Sequence, residues 1–301
     1  MSAPITTEEE ALAAVRQDGW ALQWVLFEHR TAEVCLEAVR QSGLALKFVL
    51  LEHRTEDVCL EAVRQNGLAL KFVPENLKTA ELCMEAIKRK CSALEYVPDN
   101  IKTVDICLEA VKHDGRLLIY VPENLKTTGL CLEAVRQHGW MLRYVLENLK
   151  TVDICLEAMD QSYYAFEYVP DEYKTAEMCL ETVKKNCLMF NFVPENLKTA
   201  EVCLEAVKQY GEAIQYVPDE LKTAEVCLEA VKQDGEVLRF VHHRTAELCL
   251  EAVKQNGEVL PWVPNEFMTV ELCLEAVKSW IEIRIPEALR DEVLRTLKSG
   301  A

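Results

Sequence analysis

The sequence predicts an all-α fold, an α-solenoid or superhelix of about twelve 24-residue two-helix repeats closed by a C-terminal capping helix. Three observations predict it. The stretch TAEVCLEAVRQSGLALKFV, Thr31–Val49, returns as TAEVCLEAVKQDGEVLRFV at Thr223–Val241, with related copies between them. The copies open on threonines at Thr7, Thr31, Thr55, Thr79, Thr103, Thr127, Thr151, Thr175, Thr199, Thr223, Thr245 and Thr269, spaced by 24 residues except for the 22 between Thr223 and Thr245. Within each copy the apolar positions cover far more than one helix face, so a unit needs neighbours to bury them. We number each repeat from its threonine.

The threonine is an N-cap, its hydroxyl accepting from an early helical amide, and the acid at position 3 sits where the helix dipole favours negative charge. Helix A follows. Apolar residues at positions 4, 5, 6, 8 and 9, as in Val34, Cys35, Leu36, Ala38 and Val39, span roughly 200° at about 100° per residue. That is the pattern of an inner helix covered on several sides. Glycine at position 13, as in Gly43, Gly67, Gly115 and Gly139, is expected to end helix A in the left-handed C′ conformation. Positions 14 to 19 read as a short helix B, stopped by proline at position 20, as in Pro74, Pro122 and Pro218. ENLK is then a short connector.

The predicted organisation is a tail over 1–6, the repeat array over 7–278 and a cap over 279–301. In the last segment Pro286 can start a helix with Leu289, Val293 and Leu297 on one stripe. The HHR at 242–244 replaces a five-residue connector and is expected to alter curvature locally. The array as a whole is expected to be elongated.

A net charge of -17 argues against binding nucleic-acid phosphates or anionic membrane surfaces, and makes a basic partner the complementary choice. No apolar run approaches the roughly 20 residues of a membrane span, and no signal-peptide pattern opens the sequence. A cytoplasmic setting is therefore expected. Of 13 cysteines, eleven recur at position 5, from Cys35 to Cys273, as small apolar knobs of the buried face. Adjacent copies would lie about 10 Å apart, too far for disulfides or a shared zinc. Cys91 and Cys187 differ. They stand at the glycine position and are the candidate reactive thiols.

The aromatic at position 18, from Trp24 to Trp262, could be a base-stacking track, but position 17 is mixed in charge and core packing is the preferred reading. Glutamate at position 7 reads as a solvated stripe of intrahelical ion pairs. No HExxH, zinc, phosphate-loop, GxSxG or dinucleotide pattern is present, so no enzyme, metal or cofactor is expected. Framework positions are set by packing, so places where copies disagree are the candidates for contact with a partner. These are Trp20, Leu44, Leu68, Trp140, Tyr164 and Leu188 at position 14, and Phe27 and Leu51 in the connectors. Burial against neighbouring connectors is the alternative for them.

The recurring CLEAVKQNG and ALxYVPENLKT segments resemble the tandem repeats of the bacterial and protist domain of unknown function 4116, over Thr7 to Lys278. The resemblance implies an all-helical repeat region, often within larger or secreted effector-like proteins, and carries no catalytic residues. Cys91, Tyr163, Cys187 and Ile281 depart from its glycine, where the turn is expected to differ. Three functions are open: a non-enzymatic scaffold for a protein or peptide, a self-assembling structural protein, or an acidic mimic of nucleic acid that occupies a basic protein.

Overall fold

In a computed structural model the described residues are 4–279 and 285–299. Residues 1–3 of the expected tail, and Ile281 with the first part of the expected cap, lie outside them. The chain divides into two compact units, Met1–Tyr168 and Val169–Ala301. Each is an all-α repeat solenoid. Among the described residues there is no β-strand, only an isolated bridge between Ile5 and Val25.

Helix A is ten residues long in every repeat, for example Ala32–Gln41, Glu56–Gln65 and Ala200–Gln209. The threonine caps it as expected: Thr31 Oγ1 accepts from the Val34 amide at 3.4 Å and Thr79 Oγ1 from the Leu82 amide at 3.2 Å. Val34, Cys35, Ala38 and Val39 are buried, and the same four positions are buried in most repeats. Position 6 lies at the edge instead, with Leu36 half-buried and Leu156 exposed. Within the first unit Ala32–Gln41 packs between Glu8–Gln17 and Glu56–Gln65. In the second, Ala200–Gln209 lies between Ala176–Lys185 and Ala224–Gln233. Within each unit, neighbouring helices A thus cover one another.

The turn departs from expectation. No described residue has positive φ, glycine included. Helix A ends because position 12 is extended, as at Ser42 with φ -145° and ψ 108°, and the glycine then starts a second helix of 3-10 type, Gly43–Phe48. An Asp or Asn at position 12 caps that helix: Asn66 Oδ1 accepts from the Leu68 amide at 3.0 Å, and Asp234 Oδ1 from the Glu236 amide at 2.9 Å. Cys91, Tyr163 and Cys187 begin 3-10 helices as the glycines do, so the altered turn expected at these residues does not occur.

What glycine permits is close approach. A Cβ on Gly43 would collide with the carbonyl of Ala62, at position 8 of the following helix A, and one on Gly115 would lie 2.7 Å from the carbonyl of Ala134. Gln at position 11 spans the same seam. Gln137 Oε1 accepts from the Gly115 amide at 2.8 Å, and its Nε2 donates to the Val111 carbonyl at 2.9 Å. The last carbonyls of one helix A are thereby satisfied by the next repeat.

Positions 15, 16 and 19 complete the core, as in Ala69, Leu70 and Val73. The connector is not plain coil. In most repeats it holds one 3-10 turn, such as Glu75–Leu77, begun by the proline, which accepts from the Leu77 amide at 2.9 Å. The shortened HHR connector lacks that turn, and a cleft of about 350 Å³ lies beside it, lined by Lys222, Cys227, Leu228 and His243.

At the start of the first unit, the Ile5 amide donates to the Trp24 carbonyl at 2.9 Å and the Leu26 amide to the Ile5 carbonyl at 3.1 Å. Part of the expected tail is therefore paired with the first connector. In the second unit the helix Glu287–Ser299 packs on Val270–Ser279 and buries Val293, while Leu297 stays exposed.

Candidate interaction surface

The basic residue at position 24 organises the connectors. It precedes the threonine in every repeat from the second to the eleventh, and in most of them its side chain runs to the position-18 carbonyl of the next repeat. Arg30 Nη1 donates to the Phe48 carbonyl at 2.8 Å, Arg54 Nη1 to that of Phe72 at 2.7 Å, Lys102 Nζ to that of Tyr120 at 2.8 Å and Arg244 Nη1 to that of Trp262 at 2.8 Å. Six of the seven lysine versions also carry a carboxylate from position 21: Lys78 Nζ is 2.6 Å from Glu75 Oε1, and Lys198 Nζ is 2.6 Å from Glu195 Oε1. Burial lowers the pKa of Arg30 and Arg54, with Cys35 and Cys59 respectively acting the other way. Sequence reasoning missed this cation, although its presence in nearly every repeat was the signal. Met268 takes its place once.

This bonding exposes the aromatic ladder. The position-18 carbonyl points into the seam while its ring lies at the surface: Phe48, Tyr96 and Phe192 are half-buried and Trp24 and Tyr216 exposed. The expected core role of position 18 is therefore corrected to a rim. Cations lie over several rings, Arg239 4.7 Å from the Phe240 centroid and Arg143 5.2 Å from that of Tyr144.

The variable apolar residues divide. Phe27 is 69% exposed and Leu51 74%, while Leu188 and Tyr164 are also well exposed. Trp20 and Trp140 are partly covered by Phe48 and Tyr144, at centroid distances of 5.8 and 6.3 Å. Leu44 and Leu68 are half-buried, closer to the covered alternative. Phe27, Leu50, Leu51, Phe48, Arg30, Arg54, Lys47 and Glu52 line an open cleft of about 470 Å³ in the first unit.

The position-7 glutamates pair along their helices, as in Glu85 with Arg89 at 3.0 Å and Glu229 with Lys232 at 2.6 Å. All the cysteines are free thiols, eleven of them buried. Burial pushes the thiols of Cys35, Cys59, Cys83, Cys107, Cys131, Cys155 and Cys203 up to about 11. Cys91 and Cys187 are only half-buried. In the native protein at pH 7.5 an aromatic disulfide reagent is therefore expected to titrate these two thiols in a fast phase, the others reacting only after denaturant is added. A fast phase that persists in a Cys91→Ser, Cys187→Ser variant contradicts this assignment.

Among the described residues no His, Cys, Asp or Glu group is arranged to hold a metal ion, and no helix is long and apolar enough to cross a membrane. The model of a family described as domain of unknown function (DUF4116) matches residues 31–78, 55–102, 79–126, 103–150, 128–174, 175–222, 200–245 and 224–268. Each match covers about two repeats. No curated protein matches the chain.

Proposed function

The chain belongs to the domain of unknown function 4116 family, and from that membership we propose that it is a non-enzymatic helical-repeat scaffold holding a protein or peptide partner on the surface of its repeats. One observation carries this reading. Positions 4, 5, 8, 9, 16 and 19 keep small or aliphatic residues in nearly every repeat and are buried, whereas the positions that vary place Phe27, Leu51, Tyr164 and Leu188 in solvent. Packing explains the first group and leaves the second largely in solvent, Phe27 touching the Arg30 guanidinium at 4.4 Å and Tyr164 the Tyr163 ring at 4.4 Å; exposed apolar side chains near rings and cations are what partner surfaces use. The free thiols fit a reducing compartment, and a cytoplasmic site of action is part of the proposal.

Affinity capture from the native cell lysate tests it, comparing the chain with Trp20→Ala and Trp140→Ala variants at low and high salt. A defined partner retained at high salt and lost with either variant is the expected result. Capture of a basic protein that vanishes with salt favours the acidic mimic, and no selective capture removes the scaffold reading. Self-assembly is the second reading, favoured by Phe27 and Leu51. A molar mass constant across a light-scattering concentration series removes it.

A further inference from the structure

We propose that the cleft between the first two connectors binds a short acidic peptide, its carboxylates on Arg30 and Arg54 and its apolar side chains on Phe27 and Leu51. This rests on the scaffold reading and names one partner chemistry for it. The repeats themselves supply the comparison. In six connectors the acid at position 21 neutralises the position-24 cation: Glu75 with Lys78, Asp99 with Lys102, Glu147 with Lys150, Asp171 with Lys174, Glu195 with Lys198 and Asp219 with Lys222, all at 2.6–2.9 Å. In the first two connectors that acid is replaced by Phe27 and Leu51, and the cation is arginine.

The neighbouring acids do not substitute. Glu28 lies 3.8 Å from His29 and Glu52 3.8 Å from His53, and among the described residues neither arginine forms an ion pair. Each guanidinium spends Nε, one Nη1 and one Nη2 hydrogen on carbonyls: Arg30 on Val25, Phe48 and Gln23, Arg54 on Val49, Phe72 and Lys47. A guanidinium has five N–H donors, so on the described contacts each retains donors for an incoming carboxylate. The cleft thus holds Arg30, Arg54 and Lys47 against the single acid Glu52, in a chain of net charge -17. The most exposed large apolar side chains of the array, Phe27 and Leu51, flank those cations, with the Phe27 ring against the mostly buried Arg30 guanidinium at 4.4 Å and Arg54 the more open of the two.

This combination selects an occupant. A basic peptide would place like charges together, and an apolar one would leave the cations without counter-charge. Equivalent points of adjacent repeats lie roughly 10 Å apart, and a polyproline-II-type chain, with three residues per turn and about 3.1 Å per residue, brings side chains i and i+3 onto one face at about that spacing, so carboxylates at i and i+3 with apolar residues between them fit.

The test uses fluorescein-labelled, end-blocked peptides and the full chain in anisotropy titrations: Gly-Glu-Leu-Phe-Glu-Gly, its Gln-for-Glu counterpart and its Lys-for-Glu counterpart. The Glu peptide is expected to bind at least about tenfold more tightly than the other two and to weaken with salt. The double variant Phe27→Glu, Leu51→Glu restores the connector acid found in the other repeats and alters only exposed side chains. It is expected to lose at least about tenfold of that affinity with no fall in Tm, while Leu188→Glu keeps it. Equal binding of the Glu and Gln peptides, unchanged affinity in the double variant, or self-association of the wild-type chain abolished by the double variant would each overturn the proposal. Lysate capture separates this from the scaffold reading. A partner still held by the double variant, together with no binding of the Glu peptide, removes the cleft and keeps the scaffold.

Discussion

Gly43→Ala and Gly139→Ala are each expected to destabilise the first unit by roughly 1–3 kcal/mol, the cost of forcing extra volume into a seam that has none. At Gly139 the added methyl would overlap the Ala158 carbonyl and sit 3.0 Å from the Ser162 amide nitrogen; at Gly43 it meets the Ala62 carbonyl and lies 3.0 Å from Gln65 Oε1. These are backbone atoms or the end of a bridging glutamine, so relief requires the next helix A to move. Gln65 Oε1, which accepts from the Gly43 amide at 2.6 Å, would be drawn off with it. Gly115, with 2.7 Å to the Ala134 carbonyl, has slightly more room, and Gly115→Ala is expected to cost less. Gly129 has no heavy atom within 4 Å of an added Cβ and lies inside a helix, so Gly129→Ala is expected to stabilise by up to about 1 kcal/mol. Thermal melts give the order, at about 2–4 °C per kcal/mol for a unit of this size. Hydrogen exchange locates the loss in the helix following each glycine. Four equal shifts would show that the glycines serve chain flexibility instead.

The same glycines show where sequence reading stops. The period, the threonine caps and the buried face of helix A were legible because each is set within one repeat, by the spacing of Thr31, Val34, Cys35, Ala38 and Val39. Gly43 was misread because its reason lies in another repeat, at Ala62. Gln65 and Arg54 escaped notice for a like reason. Their partners stand 22 and 18 residues away, at Gly43 and Phe72, and become neighbours only once repeats stack. The type of the second helix was not legible either, since it depends on an extended position 12 that Asn66 or Asp114 caps from its side chain. On the candidate surface, sequence reading left exposure and burial both open; Phe27 and Leu51 are exposed, Leu44 and Leu68 half-buried. The aromatics of position 18 were misread as core, because a ring's burial depends on where its own carbonyl is tied down.

Raising the pH from 8 to 10.5 is expected to destabilise both units reversibly, through the buried thiols. The pKa of a position-5 thiol is higher in the folded chain, about 11 at Cys35, Cys59 and Cys107, than the usual 8.5 or so of an unfolded one. Such a group favours folding fully below the unfolded value. Above it the unfolded chain gives up its proton first, and the advantage disappears as pH climbs to the folded value. Each ionising thiol then takes away up to about 1.4 kcal/mol per pH unit, and the effect recurs in eleven repeats. Tm measured with reductant present should therefore stay level to about pH 8.5 and fall steeply above it. Cys59→Ala, Cys107→Ala leaves two small side chains in the seam and lowers Tm at neutral pH. It should also flatten the alkaline slope by up to about two protons, which loss of packing alone cannot do. An unchanged slope in that variant, or a fall in Tm that return to pH 7.5 does not reverse, would assign the alkaline loss to other groups or to covalent damage.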